Sequence, residues 1–171
     1  MESTSDVMHI DEIKALAQKA HDDEAVREAL FTTMQTGEPR TAGHAAWALT
    51  HLPRTDDSHI AQHREDLVTL ALATPHVPLR RLSLTLLERL EWGEEDVRTD
   101  LLDFCLQRML SSFEPYGVRA LCVKLAYCQC RHYPELCMEL EQTLQMMEQT
   151  EMGSGLRHCR KKIMTELSRG V

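Results

Sequence analysis

Four soft or borderline metal donors, Cys128, Cys130, His132 and Cys137, fall within the ten residues Cys128-Gln-Cys-Arg-His-Tyr-Pro-Glu-Leu-Cys137. Zinc takes such donors in a tetrahedral arrangement. The spacing is not that of a standard zinc knuckle, and Cys128 and Cys137 each also fit a helical pattern that accounts for them structurally. They are metal candidates only, and no cofactor is expected. His59-Ile-Ala-Gln-His63 sets two imidazoles on one helix face without the Glu of a metalloprotease motif, and it reads as solvated surface. The chain contains no Gly-x-Gly-x-x-Gly, no Gly-x-x-x-x-Gly-Lys-Ser/Thr and no Gly-x-Ser-x-Gly, so the common dinucleotide, phosphate-loop and serine-hydrolase chemistries have no carrier. No enzymatic activity is expected.

A second set of residues could bind rather than react. Cations and aromatics recur in four stretches: Trp47, His51 and Arg54; Arg81, Arg89 and Trp92; Lys124, Tyr127 and Arg131; Lys162 and Arg169. The stretches belong to a repeat. Segments starting at Thr41, Leu79, Val118 and Leu156 align over twelve residues, with starts separated by 38, 39 and 38 residues. A fixed period of this size marks a solenoid of stacked supersecondary units.

The punctuation inside each period is helical. Gly37 and Pro39 separate Asp22–Thr36 from Arg40–Leu52, a Gly stop followed by a Pro start. Pro53 ends that helix, and Thr55 or Asp56 is placed to cap the next through a side-chain oxygen. No segment alternates apolar and polar for long, so strands are not expected. First helices are predicted at about Asp22–Thr36, Asp56–Ala73, Glu94–Ser111 and Pro134–Gln149. Second helices are predicted at about Arg40–Leu52, Pro78–Glu91, Tyr116–Cys130 and Gly155–Ser168. Ahead of them, Val7, Ile10, Ile13, Leu16, Ala17 and Ala20 recur at spacings of three and four, one further amphipathic helix.

With 171 residues, 43% apolar and 27% charged, the chain can bury a core without metal or disulfide help. One domain is expected over 1–171, with a cap helix at 5–20 and repeats at about 22–53, 55–91, 94–130 and 133–169. Met1–Asp6 is polar and acidic, unlike a signal peptide, and no stretch approaches the roughly 18 apolar residues of a membrane span. Cytoplasmic localisation with reduced thiols is expected, and no membrane partner.

The second-helix segments resemble the second helix of HEAT repeats, whose loose pattern runs Val-Arg-x-x-Ala-Ala-x-Ala-Leu-x-x-Leu. Leu79-Arg80, Val118-Arg119 and Leu156-Arg157 match its opening, and Ala45-Ala46-x-Ala48-Leu49-x-x-Leu52 its second half. The resemblance spans roughly residues 22 to 168 and implies an all-α, right-handed α-α superhelix of about four helical pairs with an N-terminal cap helix. Ser83 and Cys122 then occupy small packing positions and are not nucleophiles. An Asp commonly stands six residues before the Arg in that family. Here those places hold Thr74, Phe113 and Glu151, so Arg80 and Arg119 lack the expected ladder partner. Arg160-Lys161 stands where earlier segments have apolar or small pairs, charges that suit a face left in water at the end of an array.

In HEAT-like stacks the second helices line the concave side. Here segments 39–54, 75–91, 112–131 and 152–171 carry a net +9, while 22–38, 55–74, 92–111 and 132–151 carry −15 within an overall −8. On each second helix, positions 3, 7, 10 or 11, and 14 of the aligned segment share a face. That face collects Trp47, His51, Arg54, Arg81, Arg89, Trp92, Lys124, Tyr127, Arg131, Lys162 and Arg169. Two readings stand: Lys and Arg offset the acidic first helices while Trp47 and Trp92 fill core, or the face is a groove for an acidic or phosphorylated segment of a protein partner. The alternative occupant is nucleic acid. Some HEAT-like DNA glycosylases for alkylated bases use a Trp and an Asp, and Trp92-Gly-Glu-Glu-Asp96 resembles that spacing, although Asp96 also reads as first-turn charge on the next helix.

Overall fold

The computed structural model describes residues 9–170. Helix α1 (Ile10–Asp22) precedes a pair formed by α2 (Glu24–Thr36) and α3 (Pro39–Thr50). The next first helix is split into α4 (Asp57–Ala61) and α5 (Arg64–Ala73), followed by α6 (Val77–Arg89). Then come α7 (Thr99–Arg108) with α8 (Tyr116–Cys130), and α9 (Pro134–Met146) with α10 (Ser154–Arg169). The described residues contain no strand. Each of the four aligned segments begins two residues inside its helix, at 41, 79, 118 and 156 against helix starts of 39, 77, 116 and 154. The architecture is an α-α solenoid.

The second helices form its spine. α3 packs on α6, α6 on α8 and α8 on α10, while α1 closes against α2 and α3. Burial follows the repeat. Ala42, Ala45, Ala46, Ala48 and Leu49 are buried on α3, and Leu79, Leu82, Leu84, Leu86 and Leu87 on α6, small side chains on one helix and large on its neighbour. Each fully buried leucine, such as Leu86 or Leu87, contributes about 1.5–3 kcal/mol relative to exposure.

Arginines bind consecutive turns together. Arg80 donates from Nη2 to the Thr74 carbonyl at 2.8 Å and from Nη1 to Glu114 at 2.7 Å, one period further on. Arg119 donates to the carbonyls of Met109 (2.8 Å) and Glu151 (2.7 Å) and to Thr150 Oγ1 (2.7 Å), again in the next turn. Both arginines therefore point into the stack. A ladder exists, with Glu114 one residue beyond the expected place at Phe113 and with backbone carbonyls taking the role of a carboxylate elsewhere. Burial pushes the Arg119 guanidinium below its ordinary pKa.

Several expectations need correction. The first helix expected over Asp56–Ala73 breaks at Gln62-His63, because His63 turns inward: its ring stacks on Phe31 at 3.8 Å and its Nε2 lies 3.0 Å from Glu28. His63 is thus no solvated surface group. Asp56 makes no cap; its carboxylate lies 2.7 Å from His21 Nδ1. The first helix of the third pair starts only at Thr99, after a 3₁₀ turn over Glu94–Asp96. Of the charges expected to face water in the last pair, Lys161 is exposed, but Arg160 folds back to the Leu144 carbonyl (2.7 Å) and Glu148 (2.7 Å). The cap helix begins at Ile10, and Val7 lies outside the described residues.

All six cysteines are free thiols. Among the described residues, no helix is long and apolar enough to cross a membrane.

Candidate partner-binding groove

The face expected from helical spacing divides into residues that reach open space and residues that hold the stack. Lys124, Tyr127, Arg131 and Lys162 line one groove between α8 and α10, a hollow of about 920 Å³. Tyr116 and His158 line it too, and so do Glu88 and Glu166. Lys124 and Lys162 occupy the same position in consecutive repeats, and both line this hollow. Past Tyr127 and Arg131 the groove continues into a smaller hollow of about 420 Å³, bounded by Pro134, Met138 and Leu167.

Two glycines open this groove. A side chain at Gly117 or Gly155 would meet nothing within 4 Å, and both line the hollow. Gly153 differs: a Cβ there would come within 2.9 Å of the Tyr116 ring, so close packing requires the glycine and holds Tyr116 at the groove edge.

The thiols in the groove wall are not nucleophilic. Cys128 and Cys159 form part of that wall, and burial raises both thiols above the ordinary range. At Cys159 the lysines Lys124 and Lys162 pull the other way without prevailing. A protonated thiol is a poor nucleophile. The Tyr127 phenol is likewise raised, first by burial and then by Glu166, against the opposing pull of Arg131.

Trp47 and Arg81 lie elsewhere, around a separate pocket of about 550 Å³ between α3 and α6. His51 borders a small recess against α1, with its ring 6.3 Å from that of Trp47. Arg54 is exposed in a 3₁₀ turn, and Arg169 is exposed at the end of α10, 3.8 Å from Glu166.

Two assignments to this face were wrong. Trp92 is 2% exposed; its Nε1 donates to the Leu87 carbonyl at 2.9 Å, and the Arg64 guanidinium covers its ring at 4.5 Å. The reason is that α6 ends at Arg89 and Leu90 is extended, so helical phase no longer applies at Trp92. Arg89 turns into the junction between the first two pairs, where it reaches Asp57 (3.0 Å) and the carbonyls of Thr50 and Pro53. Its neighbour Glu88 faces the groove instead. Glu88 and Glu166 were missed although both occupy position 10 or 11, which the same spacing rule places on that face. Tyr116 precedes the aligned segment and carried no such signal.

The metal candidates do not converge. Cys137 Sγ donates to the Cys130 carbonyl at 3.1 Å, and His132 Nε2 is engaged by the Trp92 carbonyl at 2.8 Å and by Arg131 Nε at 3.3 Å. Burial pushes the Cys130 thiol up to about 12. Among the described residues, no three His, Cys, Asp or Glu side chains are grouped to hold a metal ion. Asp96 is held by the Gly93 amide (2.7 Å) and by Arg64 (3.3 Å).

No curated protein and no solved structure matches the chain. A family model described as HEAT repeat domain matches residues 2–167. Arrays of this kind present an extended surface to another macromolecule and act in general as interaction scaffolds. The chain belongs to the HEAT repeat domain family.

Proposed function

We propose that the chain is a nonenzymatic scaffold that holds an acidic or phosphorylated segment of a partner protein in the groove between α8 and α10. One observation carries this reading: among the described residues no carboxylate lies within 4.0 Å of Lys124, Arg131 or Lys162, although all three line a single hollow. Elsewhere Arg80, Arg89, Arg98, Arg108 and Arg160 each have a carboxylate partner. These five arginines are neutralised from within, Arg119 is held by carbonyls and a hydroxyl, and the groove cations are left for a ligand. Tyr116 and Tyr127 beside them supply the aromatic surface that, with Arg, dominates binding energy at interfaces.

Glu88 and Glu166 on the same walls favour a polypeptide over nucleic acid. They repel a continuous polyanion at every repeat of its charge, whereas a single carboxylate or phosphate sits between Lys124 and Lys162 with neutral or basic neighbours on either side. Lys124→Glu/Lys162→Glu should weaken binding of a fluorescein-labelled peptide carrying one phosphoserine between neutral and basic residues by at least about tenfold in Kd, or about 1.4 kcal/mol. Both side chains are exposed, so the melting temperature should hold. Undiminished affinity in a folded double variant would remove this groove as the binding site.

A further inference from the structure

The pocket between α3 and α6 differs from the groove in one respect that specifies its ligand: among the described residues no carboxylate lines it. Its floor is apolar, built from the Trp47 ring, Pro78, Leu79 and Leu82, and its rim carries Arg81, His44 and His76. At about 550 Å³ it falls in the size range of pockets that enclose a small ligand or a large side chain. Trp47 is half-buried and packs against the core cluster from this side, so one part of the ring is anchored while the rest faces the pocket.

Gly43 supplies an independent observation. It lies in the interior of α3, where glycine weakens a helix relative to alanine. Neither of the usual reasons for glycine applies: its φ is not positive, and an added Cβ would meet nothing within 4 Å. That empty space is the pocket itself, since Gly43 lines it. The residue keeps the space over Trp47 open at the expense of helix stability.

We infer that this pocket is a second recognition site, which takes an aromatic or long aliphatic side chain of a partner polypeptide with a neighbouring carboxylate seated on Arg81. The apolar floor accepts the side chain, and the Arg81 guanidinium at the rim, with no carboxylate among the described lining residues, selects acidic flanks. The site stands apart from Lys124 and Lys162 and does not depend on the groove reading.

The test is a two-dimensional NMR titration of ¹⁵N-labelled protein with acetyl-Asp-Asp-Phe-Asp-Asp-amide, and with the same peptide carrying Ala for Phe. The Trp47 indole and Gly43 amide signals should move and saturate, with Kd on the order of 1 mM or tighter, the range open to a short peptide. The Ala peptide should bind at least about tenfold more weakly. Gly43→Leu, which fills the pocket from an unobstructed position, should melt no lower than the parent and leave the Trp47 signal unmoved by peptide. Arg81→Glu, an exposed change, should do the same. The inference is overturned if the Trp47 and Gly43 signals stay still, if the two peptides bind equally, or if both folded variants keep binding. It is equally overturned if only signals around Lys124 and Lys162 move, an outcome that leaves the groove reading intact. Movement of the Trp47 signal with single-stranded DNA but not with peptide, or with protein concentration alone, would assign the pocket to nucleic acid or to a second copy of the chain instead.

Discussion

Arg80 Nη1 lies 2.7 Å from Glu114 Oε1, joining the second helix of one pair to the turn that opens the second helix of the next. The two side chains are 10% and 2% exposed, and Arg108 reaches the same carboxylate oxygen at 2.6 Å. Removing one partner of a buried pair strands the other charge, which costs about 3–5 kcal/mol. Glu114→Ala should therefore lose that much in urea unfolding. The double change Arg80→Met/Glu114→Leu should lose far less than the two single changes summed, because no buried charge is left unpaired and Arg108, 40% exposed, can turn to solvent. A loss below about 1 kcal/mol for Glu114→Ala, the range of a surface pair, would mean that the contact does not organise the stack.

Trp92 should behave as core. Trp92→Ala should destabilise by about 3–5 kcal/mol, the range for truncating a buried aromatic, as measured by chemical denaturation. Folded Trp92→Ala at low temperature should bind acidic peptide as the parent does. A selective binding defect with unchanged stability would return Trp92 to the recognition surface.

Asp100 gives the chain a defined acid sensitivity. Arg98 donates to it from Nε (3.2 Å) and Nη2 (2.7 Å) and holds its carboxyl below the ordinary range. A depressed folded-state pKa contributes stability that is present above the unfolded-state value and is lost as pH falls through the folded-state one. Asp100→Asn should lower the melting temperature slightly at neutral pH, and by less at an acid pH where the folded-state carboxyl is protonated. The effect is small because the pair is half-exposed and screened by salt. An equal deficit at both pH values would show that the substitution acts through something other than the charge.

Thiol reactivity should follow burial. Cys130 is 1% exposed with its pKa pushed up to about 12, whereas Cys137, only partly covered, is raised to a lesser degree. Iodoacetamide at about pH 8, the ordinary thiol range, should leave Cys130 unmodified in native protein while Cys137 is labelled slowly. Mass spectrometry of digested protein reads both. Labelling of Cys130 ahead of Cys137 would contradict the packing of α8 against α9.

The repeat itself was plain in the chain, because a 38- or 39-residue period survives substitution as long as the same positions stay apolar. The constant two-residue offset of every aligned segment inside its helix shows how closely the pattern tracks the fold. The site was legible only while the helix lasted. Lys124, Tyr127, Arg131 and Lys162 were placed together because α8 and α10 run through or up to them. Trp92 failed because it lies beyond the end of α6, where three-and-four spacing carries no direction. Arg89 failed for another reason: spacing gives an angle about one helix axis, not which neighbouring loop will offer Asp57 and two carbonyls to a long side chain. The open space over Gly43 could not be read from sequence at all, since an absent side chain has no periodicity.

The proposed preference of the groove for polypeptide over nucleic acid is tested most directly by salt. Fluorescence anisotropy should be measured for the single-phosphoserine peptide and for labelled single- and double-stranded DNA, with the same protein at about 50 and about 200 mM salt. Phosphate contacts release counterions, so a nucleic-acid site of 6–10 contacts loses about 10³–10⁵ in affinity across that window. The expected result is saturable peptide binding that weakens modestly with salt, is lost in Lys124→Glu/Lys162→Glu, and exceeds any DNA binding at both salt concentrations. Micromolar or tighter DNA binding that collapses between the two salt concentrations, with weaker binding of the peptide, would contradict it and make the groove a nucleic-acid site.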